Sequence, residues 1–327
     1  MAARSSVAHE TLRASILQTG ILEPVPAAAR YLSFDRVAPA GESADALRAA
    51  LVRLGALVDG RQLVVGLGQG LAARLGRVID GLHEIPQDPA ALEKPARTPA
   101  LLWCWLRGDD RGDLVHLTRH IEQALAPALH MPTIVDAFRH REGRDLTGYV
   151  DGTENPQGDE ALQAAFVPAD APAGLAGSSF VAVQQWVHNF NRFEALGPAA
   201  QDLAIGRRRA DDVELDDAPS SAHVKRTAQE SFEPDAFVLR RSMPWAQDGR
   251  AGLMFVAFGA SLAAFEAQWR RMTGAEDGVL DALFGFTRPI TGSTFWCPPM
   301  ADGRPEWSAV MGATEAWQPG STRQKPE

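Results

Sequence analysis

Two stretches of the chain repeat one pattern, and that repeat limits the fold more than any other feature of the sequence. ALLWCWLRGDDRGDLVHLTRHIEQAL starts at Ala100 and GLMFVAFGASLAAFEAQWRRM starts at Gly252. Each runs from an apolar strand through a short polar turn into an amphipathic helix. Further strands are expected over 29–36, 62–68, 178–190 and 237–245. Further helices are expected over 43–60, with Ser43 as its cap and Gly60 as its stop, and over 191–206, where Pro198 marks a start or break. The stretch 133–148 reads as a strand or hairpin, 69–98 mostly as loop, and 207–227 as a polar, irregular loop. The order in each half is roughly βαβ…βαβ. It predicts an α+β fold of two related ferredoxin-like units, over about 30–150 and 178–300, with antiparallel sheets and peripheral helices. The corresponding division of the chain is 1–150 and 151–327.

Composition narrows the partners. The formal net charge of −9 argues against nucleic acid or an anionic membrane as the main partner. Arg207, Arg208 and Arg209 form a local basic patch that reads either as a solvated loop or as an anion site. The hydrophobic fraction of 45% supplies a core without disulfides or a structural metal. The two cysteines, in LLWCWL and STFWCPP, read as reduced core thiols, which suits a cytoplasmic protein. No apolar run approaches the roughly 18 residues of a membrane span. MAARSSVAHETLRAS has no h-region of a signal peptide, and WQPGSTRQKPE reads as a frayed tail without an apolar docking segment.

The common catalytic motifs GxSxG, HExxH and GxxxxGK[ST] do not occur, and GLGQGLAARLG lacks a proper GxGxxG. His116 and His120 share a helix face at i, i+4, but no third ligand completes a metal set. Taken alone, Asp151 in GYVDGTENP belongs to a tight turn, with Glu154 and Asn155 as scaffold. His223 in SSAHVKRT reads as a surface or core histidine, or as a metal or haem ligand. Strand alternation sends Arg240 and Arg241 to opposite faces, one toward an interior pocket and the other toward water. An arginine in such a pocket keeps its charge and can hold a developing negative oxygen.

Taken in order, these segments resemble the dye-decolorising peroxidases, a haem peroxidase family. RDLTGYVDGTENP resembles the family's GxxDG signature, with Gly148, Asp151 and Gly152 in place. HVKRT resembles the proximal-histidine segment and LRRSMPW the distal-arginine segment, while GLMFVAFG and TRPITGSTFWCPP also look like family sequence. The spacings, 223 − 151 = 72 and 240 − 223 = 17, agree with that order. The likeness is greatest to the bacterial cytoplasmic subclass called B or P.

The resemblance implies two ferredoxin-like units of the dimeric α+β barrel type. It also implies one haem b per chain, held mainly by the C-terminal unit, and commonly a homo-oligomer. By the same resemblance His223 ligates the haem iron and donates from its other ring nitrogen to a carboxylate or carbonyl, for which chain position offers Asp281, or else Asp277. Asp151 shuttles a proton, Arg240 stabilises charge, and Ser242 hydrogen-bonds in the distal pocket where some members carry Asn. Arg207 and His188 are placed against the propionates, and Leu253 and Phe255 against the ring. Tyr149, Trp186 and Trp245 are candidate electron relays to bulky donors at the surface. The implied activity uses hydrogen peroxide to oxidise dyes, phenols or other small donors through a ferryl intermediate. Two rivals stand beside it: a haem-binding or haem-iron-handling protein with low turnover, and a non-haem interaction protein on the same scaffold.

Overall fold

The computed structural model describes residues 16–37 and 43–312, so the amino-terminal stretch and the polar tail lie outside the described residues. Ten strands form one antiparallel sheet: β1 (Ala28–Arg36), β2 (Leu63–Leu67), β3 (Leu102–Gly108), β4 (Leu129–Phe138), β5 (Ser179–His188), β6 (Leu239–Arg240), β7 (Met243–Gln247), β8 (Arg250–Gly259), β9 (Thr287–Pro289) and β10 (Ser293–Cys297). The first half contributes the order β4-β1-β3-β2 and the second the order β10-β5-β8-β7. The halves meet at two seams, Trp296↔Leu67 between β10 and β2 and Ala137↔Trp245 between β4 and β7. The pairing of β5 with β8 closes the sheet on itself, so it is a barrel rather than two separate sheets. Short β6 and β9 extend the ladders on β8 and β5.

Closure explains a feature of the sequence. β2 and most of β3 are apolar on both faces because both faces are covered, one by the barrel interior and one by helices. The interior draws on both halves. Tyr31 stacks on Trp103 and Trp105 with centroids 6.2 and 6.3 Å apart, and Trp103 stacks on Phe295 at 5.8 Å. Cys104 and Cys297 are free and buried.

Outside the first half, helix Ala44–Gly55 lays Leu47, Leu51 and Leu54 on the sheet, and helix Arg111–Leu125 adds Leu114, Ile121 and Leu125. Both start at side-chain caps. Ser43 Oγ accepts from the Ala46 amide, and Asp110 from the Gly112 and Asp113 amides. Outside the second half, helix Ala263–Met272 stands across a cavity from β5 and β8, with residues of the helix and both strands lining the space.

Several expectations are corrected. The helix expected over 191–206 is two, Phe190–Leu196 and Pro198–Ile205, broken at Gly197, whose φ of 75° precedes the proline. The polar stretch 207–227 is not all loop, since His223–Thr227 is helical. A helix at Gly158–Ala165 was not expected. Arg241 does not face water: it donates to the carbonyls of Ile21, Leu22 and Arg240. Burial, and then the charge of Arg107, lower its pKa to about 10. No helix among the described residues is long and apolar enough to cross a membrane.

Gly66 sits at the β2–β10 seam, where an added Cβ would lie 2.8 Å from the Phe295 Cβ. Gly66→Ala therefore costs about 1–3 kcal/mol by overpacking, read as a lower midpoint in chemical denaturation. An unchanged midpoint would show that the seam is loosely packed.

Candidate active site

The turn around Asp151 is built from its own backbone. The Asp145 amide donates to Tyr149 O, the Gly148 amide to Asp145 O and the Asp151 amide to Gly143 O, at 2.8, 2.9 and 3.2 Å. Gly152 has φ 84°, the left-handed region that glycine enters without cost. Asn155 then ties this turn to β6 in both directions. Its Nδ2 donates to Arg240 O at 3.0 Å, and its Oδ1 accepts from the Arg240 amide at 2.8 Å. Sequence reading left Asn155 as scaffold, but its amide sets where Asp151 stands relative to Arg240. The motif held the residue; only the fold reveals that its partner lies 85 positions away.

Asp151 and Arg240 do not close into a hydrogen-bonded pair. Nη1 and Oδ1 are 3.8 Å apart, and the two side chains are 16% and 20% exposed for Arg240 and Asp151. The Arg240 guanidinium has no hydrogen-bond partner among the described residues. Both residues line a cavity of about 890 Å³, counting the open space at its mouth. Trp186, Leu253 and Phe255 form its sheet wall, and Phe265, Trp269 and Met272 its helical wall.

His223 enters the same cavity from the first residue of its helix. Its Nδ1 is 2.8 Å from Asp281 Oδ2, and Asp281 is 1% exposed. The other carboxylate oxygen accepts from the Leu283 amide, so the acid is fixed from both sides. Asp277, the second candidate, pairs with Arg226 instead. The His223 Nε2 has no partner among the described residues. No group of three His, Cys, Asp or Glu side chains that could hold a bare metal ion occurs among the described residues. A lone imidazole in an apolar slot suits an iron that arrives already held by a macrocycle, so the residues present fit haem.

The remaining expected residues divide. Leu253 and Phe255 line the cavity. Ser242 does not; it lines an adjoining polar basin of about 580 Å³ that shares Asp145, Asp151, Arg240 and Leu253 with the cavity. The Ser242 hydroxyl is buried without a partner among the described residues. Arg207 does not line the cavity; Glu154, Glu214 and the Asp212 carbonyl take up its guanidinium. His188 lines the cavity, with its Nδ1 bonded to Thr287 Oγ1 (2.7 Å) and its Nε2 to Asp145 Oδ1 (2.9 Å). Burial works to raise the Asp145 carboxyl, but the bond and charge of His188 outweigh it and hold the group below the usual range. His116 and His120 are exposed on their helix.

The chain is similar in sequence and in shape to known proteins. A family model described as Dyp-type peroxidase, C-terminal, matches residues 142–302. The dye-decolorizing peroxidase of Rhodococcus erythropolis is 32% identical over 247 residues, covering 73% of this chain and 72% of that protein. The dye-decolorizing peroxidase of Mycobacterium tuberculosis is 30% identical, covering 72% of each. A variant of DypB from Rhodococcus jostii RHA1, solved in complex with heme, superposes with a TM-score of 0.73 at 28% identity, over 85% of this chain and 94% of that one. With the cavity, its histidine and the Asp–Arg pair in the order the sequence gives them, this chain belongs to the dye-decolorising peroxidase family.

Proposed function

We propose that His223 Nε2 ligates the iron of one haem b in the apolar cavity, and that Asp151 and Arg240 act on hydrogen peroxide there. The chain is a haem peroxidase that oxidises dyes, phenols or other small one-electron donors. The observation that carries the site assignment is one cavity shared by a carboxylate-anchored imidazole and an Asp–Arg pair whose side chains no other described residue hydrogen-bonds.

When bound, haem supplies the redox centre that gives peroxide two electrons and recovers them one at a time from donors. The protein's part is proton placement. Asp281 accepts a hydrogen bond from the Nδ1–H of His223, which leaves the Nε2 lone pair for iron and makes the ligand electron-rich. Asp151 takes the proton from one peroxide oxygen and returns it to the other, which leaves as water. Arg240 holds a fixed positive charge beside that oxygen as the bond breaks. Asn155 keeps the two at their spacing. The polar basin next to them gives peroxide and water a route, with Ser242 on its wall.

The strand order of each half, 4-1-3-2 when the short β6 and β9 are left out of the count, supports reading the barrel as two ferredoxin-like units, with the haem unit in 151–327. Reduced buried cysteines suit a cytoplasmic setting. Self-association into a homo-oligomer belongs to the same proposal.

Stopped-flow absorption of the haem protein with peroxide tests the roles. Asp151→Ala and Arg240→Leu each slow the first spectral change by about 100-fold or more, with Arg240→Leu at least as slow. Parent rates in both would remove these residues from the chemistry. Asp281→Asn leaves His223 without its carboxylate. Haem affinity then falls by about 10–100-fold and the iron's reduction potential rises, both measurable by titration.

A further inference from the structure

The barrel is finished differently at its two ends. Eight strands close the ring, a size whose interior is either filled by side chains or holds one small ligand. Arg107, Trp105 and Trp103 share the inward face of β3, so the interior runs from an Arg107 end to a Trp103 end. The Arg107 end is sealed. Arg107 donates to the Pro24 carbonyl and Arg241 to those of Ile21 and Leu22, and Leu17, Ile21, Ala161 and Ala165 join the interior cluster. The Trp103 end is open.

That end holds a recess of about 780 Å³, counting the open space at its mouth. Tyr31, Trp103, Val135, Val183, Met254 and Phe295 give it an apolar, largely aromatic floor. Ser33, Asp35, Thr133 and Gln185 give it a polar rim. Backbone bonds hold the rim in shape. The Thr98 amide donates to Gly292 O at 2.8 Å, the Gly292 amide to Thr98 Oγ1 at 3.0 Å, and the Gln185 amide to Thr291 Oγ1 at 2.8 Å. Two donors in the floor are unused. Tyr31 Oη and Trp103 Nε1 are buried without a hydrogen-bond partner among the described residues, which are 2% and 1% exposed. Burial pushes the Tyr31 phenol far above its usual pKa, so Oη keeps its proton. A buried donor left unpaired is costly, and such groups are ordinarily matched by an acceptor. Among the described residues lining the recess Asp35 alone is charged, so the entrance repels anions.

We infer that the open end of the barrel is a second binding site, for a small neutral aromatic ketone that enters carbonyl first. Mouths of β-barrels are a common place for such sites. The flat ring system packs among the rings and aliphatic side chains of the floor. A carbonyl oxygen has two lone pairs and no proton, which suits a floor that offers two donors. A hydrocarbon of the same shape leaves both donors unpaired, and a sulfonate meets the charge of Asp35. The site is separate from the haem cavity. Val183 and Met254 face the barrel, while Gln184, Leu253 and Phe255 on the same two strands face the cavity, so the β5–β8 ladder stands between the two occupants.

Isothermal titration of the holoenzyme with 1-tetralone tests the site, because haem then fills the other cavity. One tetralone binds per chain and the Soret band stays in place. Tetralin, the same skeleton without the oxygen, binds about tenfold more weakly, the weight of a hydrogen bond to a buried donor. Naphthalene-1-sulfonate binds more weakly than the ketone as well. Tyr31→Phe keeps the ring and its stacking, lowers tetralone affinity about fivefold, and leaves tetralin affinity unchanged. Thr133 is exposed on the rim, so Thr133→Trp blocks the mouth and abolishes binding of both compounds. If that variant has a lower denaturation midpoint than the parent, Tyr31→Phe decides alone. No heat up to the solubility limit of tetralone overturns the site and leaves the two donors to water. Equal affinity for tetralone and tetralin, or a sulfonate that binds as well as the ketone, overturns the ligand class. Unchanged tetralone affinity in Tyr31→Phe, or a Soret shift that saturates with the heat, puts the ketone elsewhere and overturns the assignment.

Discussion

The register between β5 and β8 is the constraint on which the site depends. This ladder runs from Phe180↔Gly259 to Val187↔Gly252 and closes the barrel. Alternation along β5 sends Gln184, Trp186 and His188 to the cavity, and Val181 and Val183 to the barrel interior. A slip of one residue would exchange those sets. The cavity would lose its sheet wall, and the interior would receive an amide and an imidazole with no partners. Two pressures therefore fix the same register, the apolar packing inside and the polar pairing outside. Gly252 adds a third, because an added Cβ there would meet the Trp186 carbonyl at 2.0 Å.

What could be read in advance was whatever depends on local periodicity or on linear order. The repeated strand-turn-helix units appear because a covered strand must be apolar and a covered helix must be striped. The order Asp151, His223, Arg240 survives in the chain even though the fold brings the three together. Chain position also led to Asp281, which the structure places against His223 Nδ1.

What could not be read depends on partners far away in sequence. Nothing in IGRR tells that Glu154 and Glu214 absorb Arg207. Nothing near VHN tells that Asp145 and Thr287, 43 and 99 positions away, occupy both nitrogens of His188. The alternation rule for Arg240 and Arg241 failed for Arg241, which turns back onto the carbonyls of Ile21 and Leu22 and shares a polar basin with Arg240. The short helix at His223 escaped because five residues carry too little periodicity to register.

The two buried cysteines have a meaning for a catalyst that works on an oxidant. Peroxide attacks thiolates, not thiols, and drives them toward sulfinic and sulfonic acids that are not readily reversed. Cys104 and Cys297 are fully enclosed, and burial pushes both thiols far above their ordinary pKa. Their sulfur is thus kept in its unreactive form, away from the path of the substrate. The same close packing that completes the barrel protects the protein from corrosion by its own chemistry.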